Sequence, residues 1–436
     1  MASIISQVSV FDYSGIEILG DLERLQLAFA GIDDESLLSK LEKKRGIGRD
    51  DYPIRVMWNL VIAMKVFEHK SVASFRRELS RNAQLRKICG LNDFDFKKHL
   101  IPPARVFSGF FKLLASEQEE VDFIFDTQVS ELYDKVEGFG ENLAGDGKYL
   151  DSFCKHKPKE EQTDTDNRTE NDAEYSKKEY KYTGTDGKEH TKTELHYGFK
   201  AHIICDVKTE LPISYLVTKG NHDEKKALAT LLGNFSLKQK KAARALLLDR
   251  GYDATELIRL IKSMHIHPVV DIRNMWKDKE ETKQYKDTDI VYDAKGGVYF
   301  VELDDNGEPV NVKMDYKGYD KQKKCLRYAH KGKIYKIYIS YDERIFLPIA
   351  RDSEKFKRLY KGRTAVERLN GRLDRDYMFE DHTIRGLKKM NLMVSLSMIV
   401  MNGMALGKIN RELKNCKPGE KVKGNLEGLR SLKRAA

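Results

Sequence analysis

The sequence is sparing with the residues that staple, kink or anchor a chain. Its 436 residues include five cysteines, nine prolines and two tryptophans. The cysteines (Cys89, Cys154, Cys205, Cys325 and Cys416) are scattered, with no Cys-x-x-Cys pair. That spacing excludes a disulfide framework and a structural zinc site, and it fits a reducing interior. Nine prolines and thirty glycines also exclude a collagenous or low-complexity chain. Long apolar runs are missing too. The longest, LMVSLSMIVMNGMAL from Leu392 to Leu406, contains Ser and Asn. It falls short of the roughly 18–20 residues that span a bilayer, so a buried helix is expected and no membrane partner. The N-terminal MASIISQVSVFDYSG carries neither a basic segment nor a long apolar core, so a secretory leader is not expected.

What is present in quantity is charge. Lys and Arg number 78 against 68 Asp and Glu, a net charge of +10 with a pI of about 9.0. A basic balance makes nucleic acid the first partner to consider. The excess is local. From Gly407 onward nine Lys or Arg face three Glu, a net of +6, and Arg351 to Lys389 has twelve against seven, a net of +5. These segments sum to +11, so the remainder is close to neutral. Hydrophobic residues make up 40% of the chain, enough for a packed core. The length implies two or three domains, because single cores rarely exceed roughly 250–300 residues.

Apolar spacings of three and four predict an all-α N-terminal domain over residues 1–135. It comprises a short amphipathic run at Ser36 to Lys44, a helix from Ile54 to His69, and VASFRRELSRN capped by Ser71. A turn of helix at Ala83 to Cys89 follows, then longer stretches after Pro102-Pro103 that end in a connecting helix. Its Lys43, Lys44, Arg45, Arg76, Arg77, Arg81, Arg86 and Lys87 form either a solvated face or a DNA-contacting module. Over residues 136–274 the period changes. ENLAGDGKYLDSF, HYGFKAHIICDV and LPISYLVTKG read as strands, and the charged run Lys155 to Thr193 reads as a flexible loop or solvated hairpin. Then come a helix from Asp223 to Phe235 with Asn221 as cap, a buried strand Ala245 to Leu248, a helix Ala254 to Met264 and the strand HPVVDIR. That order predicts an α/β fold, a mixed sheet with flanking helices. Residues 275–350 alternate in VYFVEL, VNVKMDY and KIYKIYISY, as a β-rich insertion does; helical pattern returns over 351–406, and 407–436 is a basic tail.

Three carboxylates stand out. Asp146 lies in GDGKYLD and Asp249 follows the buried strand in LLLDRGYD, near the crevice where α/β sheets place their sites. Glu367 lies on a helix in YKGRTAVERLN. Three converging carboxylates repel unless a cation neutralises them, and hard oxygen ligands suit Mg²⁺ or Mn²⁺. Two such ions can activate a hydroxyl nucleophile and stabilise the leaving oxygen in phosphoryl transfer. Each residue also has an ordinary role to set beside this one: turn or cap for the aspartates, surface salt bridge for Glu367. Tyr360, Arg363 and Glu367 fall at i, i+3 and i+7, one face of one helix. That set suits metal plus phosphate, or simply an i, i+4 ion pair.

Taken in order, LAGDGKYLD, LLLDRGYDATELI and YKGRTAVERLNGRL resemble the bacterial insertion-sequence transposases with a DDE triad on a ribonuclease-H-like fold. The last segment is similar to that family's Tyr-x2-Arg-x3-Glu-x6-Lys signature at its first three positions, with Asp374 at the fourth. The likeness covers about residues 36–406 and includes the β-rich insertion. It implies that Asp146, Asp249 and Glu367 are catalytic and hold a pair of Mg²⁺ or Mn²⁺ ions. It implies that Tyr360 and Arg363 hold the DNA backbone, with Arg372 or Arg375 in place of the signature Lys. Trp276 either stacks on an unpaired base or packs in a core. Water would attack a phosphodiester at an element end, and the released 3′-OH would attack target DNA without a covalent protein intermediate. Double-stranded DNA, a homodimer and a bacterial cytoplasmic, nucleoid-associated setting follow. Alternatives are a metal-dependent nuclease on the same fold, a DNA-binding regulator without activity and a basic RNA-binding protein. His222 and Asp223, in GNHDE, cap a helix or touch the site edge, and Met390, Met393, Met398, Met401 and Met404 read as soft core packing.

Overall fold

The computed structural model describes residues 20–46, 51–91, 101–154, 170–183, 188–272, 276, 280–414 and 419–423. The N-terminal segment, the first part of the charged run, Cys416 and most of the basic tail lie outside the described residues. The chain divides into two compact units, one of residues 1–128, 396–420 and 426–436, the other of 129–395 and 421–425.

The first unit is helical: α1 (Asp21–Ala30), α2 (Glu35–Arg45), α3 (Ile54–Val66), α4 (Val72–Arg81), α5 (Ala83–Cys89), α6 (Ala104–Ala115) and the first part of α7 (Gln118–Lys135). The chain's last helix adds its part from Leu396 onward. Helix α3 is apolar on most sides, with a short polar stripe at Arg55 and Asn59, and Val56, Trp58, Leu60 and Ile62 are all buried. Trp58 Nε1 donates to Asp34 at 2.6 Å, which also takes Arg55 at 2.5 Å, so the start of α2 is tied to α3. Ser71 caps α4 as expected, accepting from Ser74 N at 3.1 Å. Several of the basic side chains are occupied structurally. Arg76 donates to the Pro102 carbonyl, Arg86 to those of Leu79 and Ser80, Arg81 pairs with Glu78 and Lys44 with Glu117. Helix α1 has no counterpart among the sequence expectations. Its end meets the last helix backbone to backbone: a Cβ on Gly31 would lie 2.0 Å from Gly403 O, and one on Gly407 2.1 Å from Leu27 O.

The second unit begins with the end of α7 and the two-residue β1 (Val136–Glu137). Its main sheet contains β2 (Asn142–Asp151), β3 (Glu174–Thr183), β4 (Glu189–Asp206), β5 (Pro212–Lys219), β6 (Ala245–Leu248) and β7 (His267–Val270). The central order is β5-β4-β2-β6-β7, antiparallel from β5 to β2 and parallel from β2 to β7. Counted along the chain without β3, that is the 3-2-1-4-5 order of a ribonuclease-H-like sheet. Strand β4 has 18 residues. Its second half lies between β2 and β5, and its first half extends beyond them with β3 as a two-stranded arm. The described part of the charged run is therefore a solvated hairpin. Helices α8 (Glu224–Gly233), α9 (Leu237–Ala242) and α10 (Thr255–Ser263) follow or connect the strands. The cap of α8 is Asp223, which accepts from Lys226 N at 2.9 Å, and not Asn221. Asn221 stands too far before the first helical turn to reach its amides.

The insertion holds two sheets on one aromatic and aliphatic core. The first is β8 (Thr282–Gln284), β9 (Ile290–Asp293), β10 (Val298–Leu303) and β11 (Pro309–Lys313); the second is β12 (Asp315–Asp320), β13 (Cys325–His330) and β14 (Lys333–Tyr338). Arg344 clamps the end of the insertion to Asp253, at 2.7 Å, beside α10. Then come α11 (Glu354–Tyr360), a 3₁₀ turn at Lys361–Arg363, α12 (Thr364–Asp376) and α13 (Leu387–Leu413), and β15 (Val422–Lys423) pairs with β1. The expected single helix carrying Tyr360, Arg363 and Glu367 is thus two helices joined by a tight turn. Helix α13 reaches 27 residues, longer than its apolar run, and is long and apolar enough to cross a membrane. In the fold 89% of its most apolar stretch is buried, Met390, Met393, Met398 and Met401 among it.

Candidate active site

Strand β2 sits mid-sheet and its side chains alternate between two helical layers. Parallel pairing with β6 stops at Ala144↔Leu247. Two residues further on each strand stand Asp146 and Asp249. They stand at equivalent positions beyond the last paired residues of the two strands, Asp146 still within β2 and Asp249 one residue past the end of β6. Each aspartate is flanked by glycine for a local reason. A Cβ on Gly145 would meet Leu248 at 2.9 Å, and one on Gly147 would meet the Glu224 carboxyl at 3.3 Å, so α8 can close on that face only over glycines. A Cβ on Gly251 would meet Asp249 Oδ1 at 2.7 Å, where Gly251 N donates to that oxygen at 2.7 Å. Asp249 therefore does cap the 3₁₀ turn Arg250–Tyr252, and its carboxylate also faces Asp146.

The opposite face of β2 carries Asp146 and Lys148, and α12 lies over it. Asn370 Nδ2 is 3.5 Å from Asp146 Oδ2, and Lys148 Nζ is 2.6 Å from Asp374 Oδ2. Strand steps of two thus match a helix step of four, which fixes the register of the helix that bears Glu367. Burial is the main reason the Asp146 carboxyl is pushed up to about 7, with the Asp249 and Glu224 charges adding to it and a Gly147 hydrogen bond and Arg363 opposing. Glu367 is 46% exposed and pairs with Arg363 at 2.7 Å. The Arg363 guanidinium in turn lies 5.8 Å from the centre of the Tyr360 ring. Among the described residues no group of three His, Cys, Asp or Glu is drawn together tightly enough to hold a metal. The donor set nevertheless suits a hard cation: two carboxylates are held together against their repulsion, and the adjacent Asn370 Oδ1 is buried with no hydrogen-bond partner.

Arg363 is thus near Asp146 and Tyr360 near Asp249, and Glu367 joins them only through its ion pair with Arg363, whereas the remaining expected contacts are dispersed. Arg372 donates to the Glu210 carbonyl, next to the Arg368–Glu210 ion pair, so it serves the β4–β5 turn. Arg375 is 71% exposed and lies 3.8 Å from the Asp376 carboxylate. The cation standing at Asp374 is Lys148. Trp276 packs edge to face on Tyr292 at 6.0 Å, against the insertion core, with the Lys283 ammonium over its ring. His222 lies edge-on to His202 at 6.1 Å while Asp223 caps α8. Sequence reading passed over Glu224, Asn370 and Lys148. Of these only Asn370 had a usable signal, its i+3 spacing from Glu367.

Residues 154–402 match the profile of the transposase DDE domain, more than half of the chain. The chain belongs to the transposase DDE domain family. The match includes Asp249 and Glu367 and begins just after the strand that carries Asp146. Among solved structures, the chain is similar to a piggyBac transposase in a cryo-EM synaptic complex with hairpin DNA. The identity is 12%, the TM-score 0.38, and the match covers 95% of this chain and 80% of that one. No curated protein matches the chain.

Proposed function

We propose that this transposase binds the ends of its own mobile element, cleaves phosphodiesters there in a divalent-metal-dependent hydrolysis and joins the 3′-OH ends to target DNA. One observation carries the reading: Asp146 on β2 and Asp249 just past the end of β6 stand at equivalent positions beyond the last paired residues of the two parallel strands, and the helix that bears Glu367 lies over Asp146. Asp146 and Asp249, with Glu367 from α12, would hold Mg²⁺ or Mn²⁺. Bound there, the cation would neutralise these carboxylates, favour an ionised hydroxyl nucleophile and stabilise the leaving oxygen. Arg363 and Tyr360 face the same point and supply a guanidinium fork and a phenol for a phosphodiester. Lys148–Asp374 and Asn370–Asp146 position Glu367. The family supports DNA as substrate, and a homodimer pairing two ends is part of the same proposal.

The test is incubation of purified protein with inverted-repeat ends, Mg²⁺ and a target plasmid. Wild type should cut and join; cutting without joining would make it a nuclease instead. Asp249→Asn and Glu367→Gln should each abolish cleavage and leave DNA binding largely intact. Full cleavage in either variant would remove the triad assignment, and binding without cleavage by wild type would favour a regulator of the element.

A further inference from the structure

The β-rich insertion is electrically divided, a feature hidden in a sequence whose remainder is close to neutral. From Thr282 to Lys313, β8–β11, four Lys face seven Asp or Glu, a net of −3. From Asp315 to Tyr338, β12–β14, eight Lys or Arg face two Asp, a net of +6. We infer that the β12–β14 sheet is a second DNA-backbone interface of this transposase, separate from the Glu367 helix; this rests on the reading of the chain as a DNA-acting enzyme.

Three features of the sheet support it independently. Its cations are uncommitted: Lys321, Lys323, Lys324, Arg327, Lys333 and Lys336 are all exposed and form no ion pair among the described residues. On its outer face Arg327 and Lys336 are direct cross-strand partners. Like charges placed opposite one another destabilise a sheet, so fold stability alone does not account for the pair. Exposed Ile334 and Tyr338 flank it, at 54% and 39%, while alternate residues Leu326, Tyr328 and Ile337 fill the core. Finally, Lys324 and Lys331 occupy the left-handed region at φ 48° and 44°. Glycine or asparagine would meet less steric resistance there. The β12–β13 turn therefore accepts strain while presenting an exposed lysine, Lys324, whereas Lys331 in the second turn is held by Glu302.

Charge complementarity selects the occupant. The acidic sheet of a second copy is a poorer match, because three of its seven carboxylates, on β9, β10 and the turn after β10, are engaged at home. Asp293 accepts from the amides of Lys295 and Gly297, Asp304 from those of Asn306 and Glu308, and Glu302 holds His330 and Lys331. A phosphodiester backbone supplies closely spaced anions at the spacing of neighbouring side chains, and a two- or three-stranded β-surface is a known way to present cations to a duplex.

The experiment uses full-length protein and a short duplex of arbitrary sequence, with binding followed by fluorescence anisotropy across a salt titration. The double variant Arg327→Gln/Lys336→Gln should bind about 30-fold more weakly at about 0.15 M salt, and its log–log salt slope should shrink by about 2, from two lost phosphate contacts at roughly 0.9 each. Lys324→Asn, which suits the left-handed backbone, should lower the slope by about 1. Neither variant should melt earlier than wild type, so misfolding is separable from lost contact. Unchanged affinity and slope would overturn the inference. So would loss of self-association with DNA binding intact, which would make the occupant a second copy. Asp249→Asn separates the two levels: it should bind like wild type and fail to cleave. If wild type itself binds no DNA, the functional reading falls and the sheet interface with it.

Discussion

Replacing the Asp146 carboxylate should stabilise the protein above neutral pH and abolish its activity. The carboxyl ordinarily titrates at 3.8 and in the fold is pushed up to about 7, first by burial and then by Asp249 and Glu224. Between those values the folded state binds more protons than the unfolded state, so stability falls as pH rises through that window and is level above it. Three pH units at about 1.4 kcal/mol each set an upper bound of about 4 kcal/mol on the penalty at pH 8. The residue is not fully buried, so some of that penalty is screened, and a gain of about 2 kcal/mol in Asp146→Asn is the expected figure. Urea unfolding of both proteins at pH 5 and pH 8, without divalent metal, measures it. The variant should gain little at pH 5 and clearly more at pH 8, and Mg²⁺ should stabilise wild type at pH 8 more than the variant. Equal gains at both pH values would refute the reasoning, because the benefit would then have nothing to do with a desolvated charge.

Other expectations follow from the same geometry. Arg363→Ala should weaken end-complex formation in gel-shift assays; a change in melting temperature alone would reduce Arg363 to a partner of Glu367. Lys148→Met should lose about 1–3 kcal/mol through its half-buried ion pair. A Lys148→Asp/Asp374→Lys exchange should recover much of that loss in urea unfolding. Gly407→Ala should destabilise by at least about 2 kcal/mol, since the new methyl meets the Leu27 carbonyl with no flexible atom to yield. Calorimetry of the full chain would register this as an earlier transition.

Much of the fold was legible because period and punctuation agree with it. Helices α2 to α7, the strands around Asp146 and Asp249, and the caps at Ser71 and Gly90 all carry local signals. Helix α1 was missed because its apolar residues form a short set next to a segment with no clear period. The β9 strand escaped because IVYD is only four residues long, and β13 because CLRYAH opens on two adjacent buried residues and so lacks a clean alternation. In the site, the identities of the carboxylates were readable from strand ends and helix spacing. Their register, and the pairing of Lys148 with Asp374, were not: both depend on which residue of β2 lies under which turn of α12, a distance of more than 200 positions along the chain. The transposase family covers residues 154–402. Asp146 stands outside that match, so strand register is what joins it to the site.

The glycine contacts of α1 with the last helix have a consequence for synthesis. The helical unit is closed by Gly403 and Gly407, residues that leave the ribosome after the whole main sheet and the Glu367 helix. Helices α1 to α6 must wait, with one wall of their core missing, while some 270 intervening residues emerge and fold. A product cut short before Leu396 would carry all three carboxylates and lack a finished helical unit. In such a chain, synthesis of the last helix acts as a checkpoint between possessing the proposed catalytic carboxylates and possessing a closed helical unit.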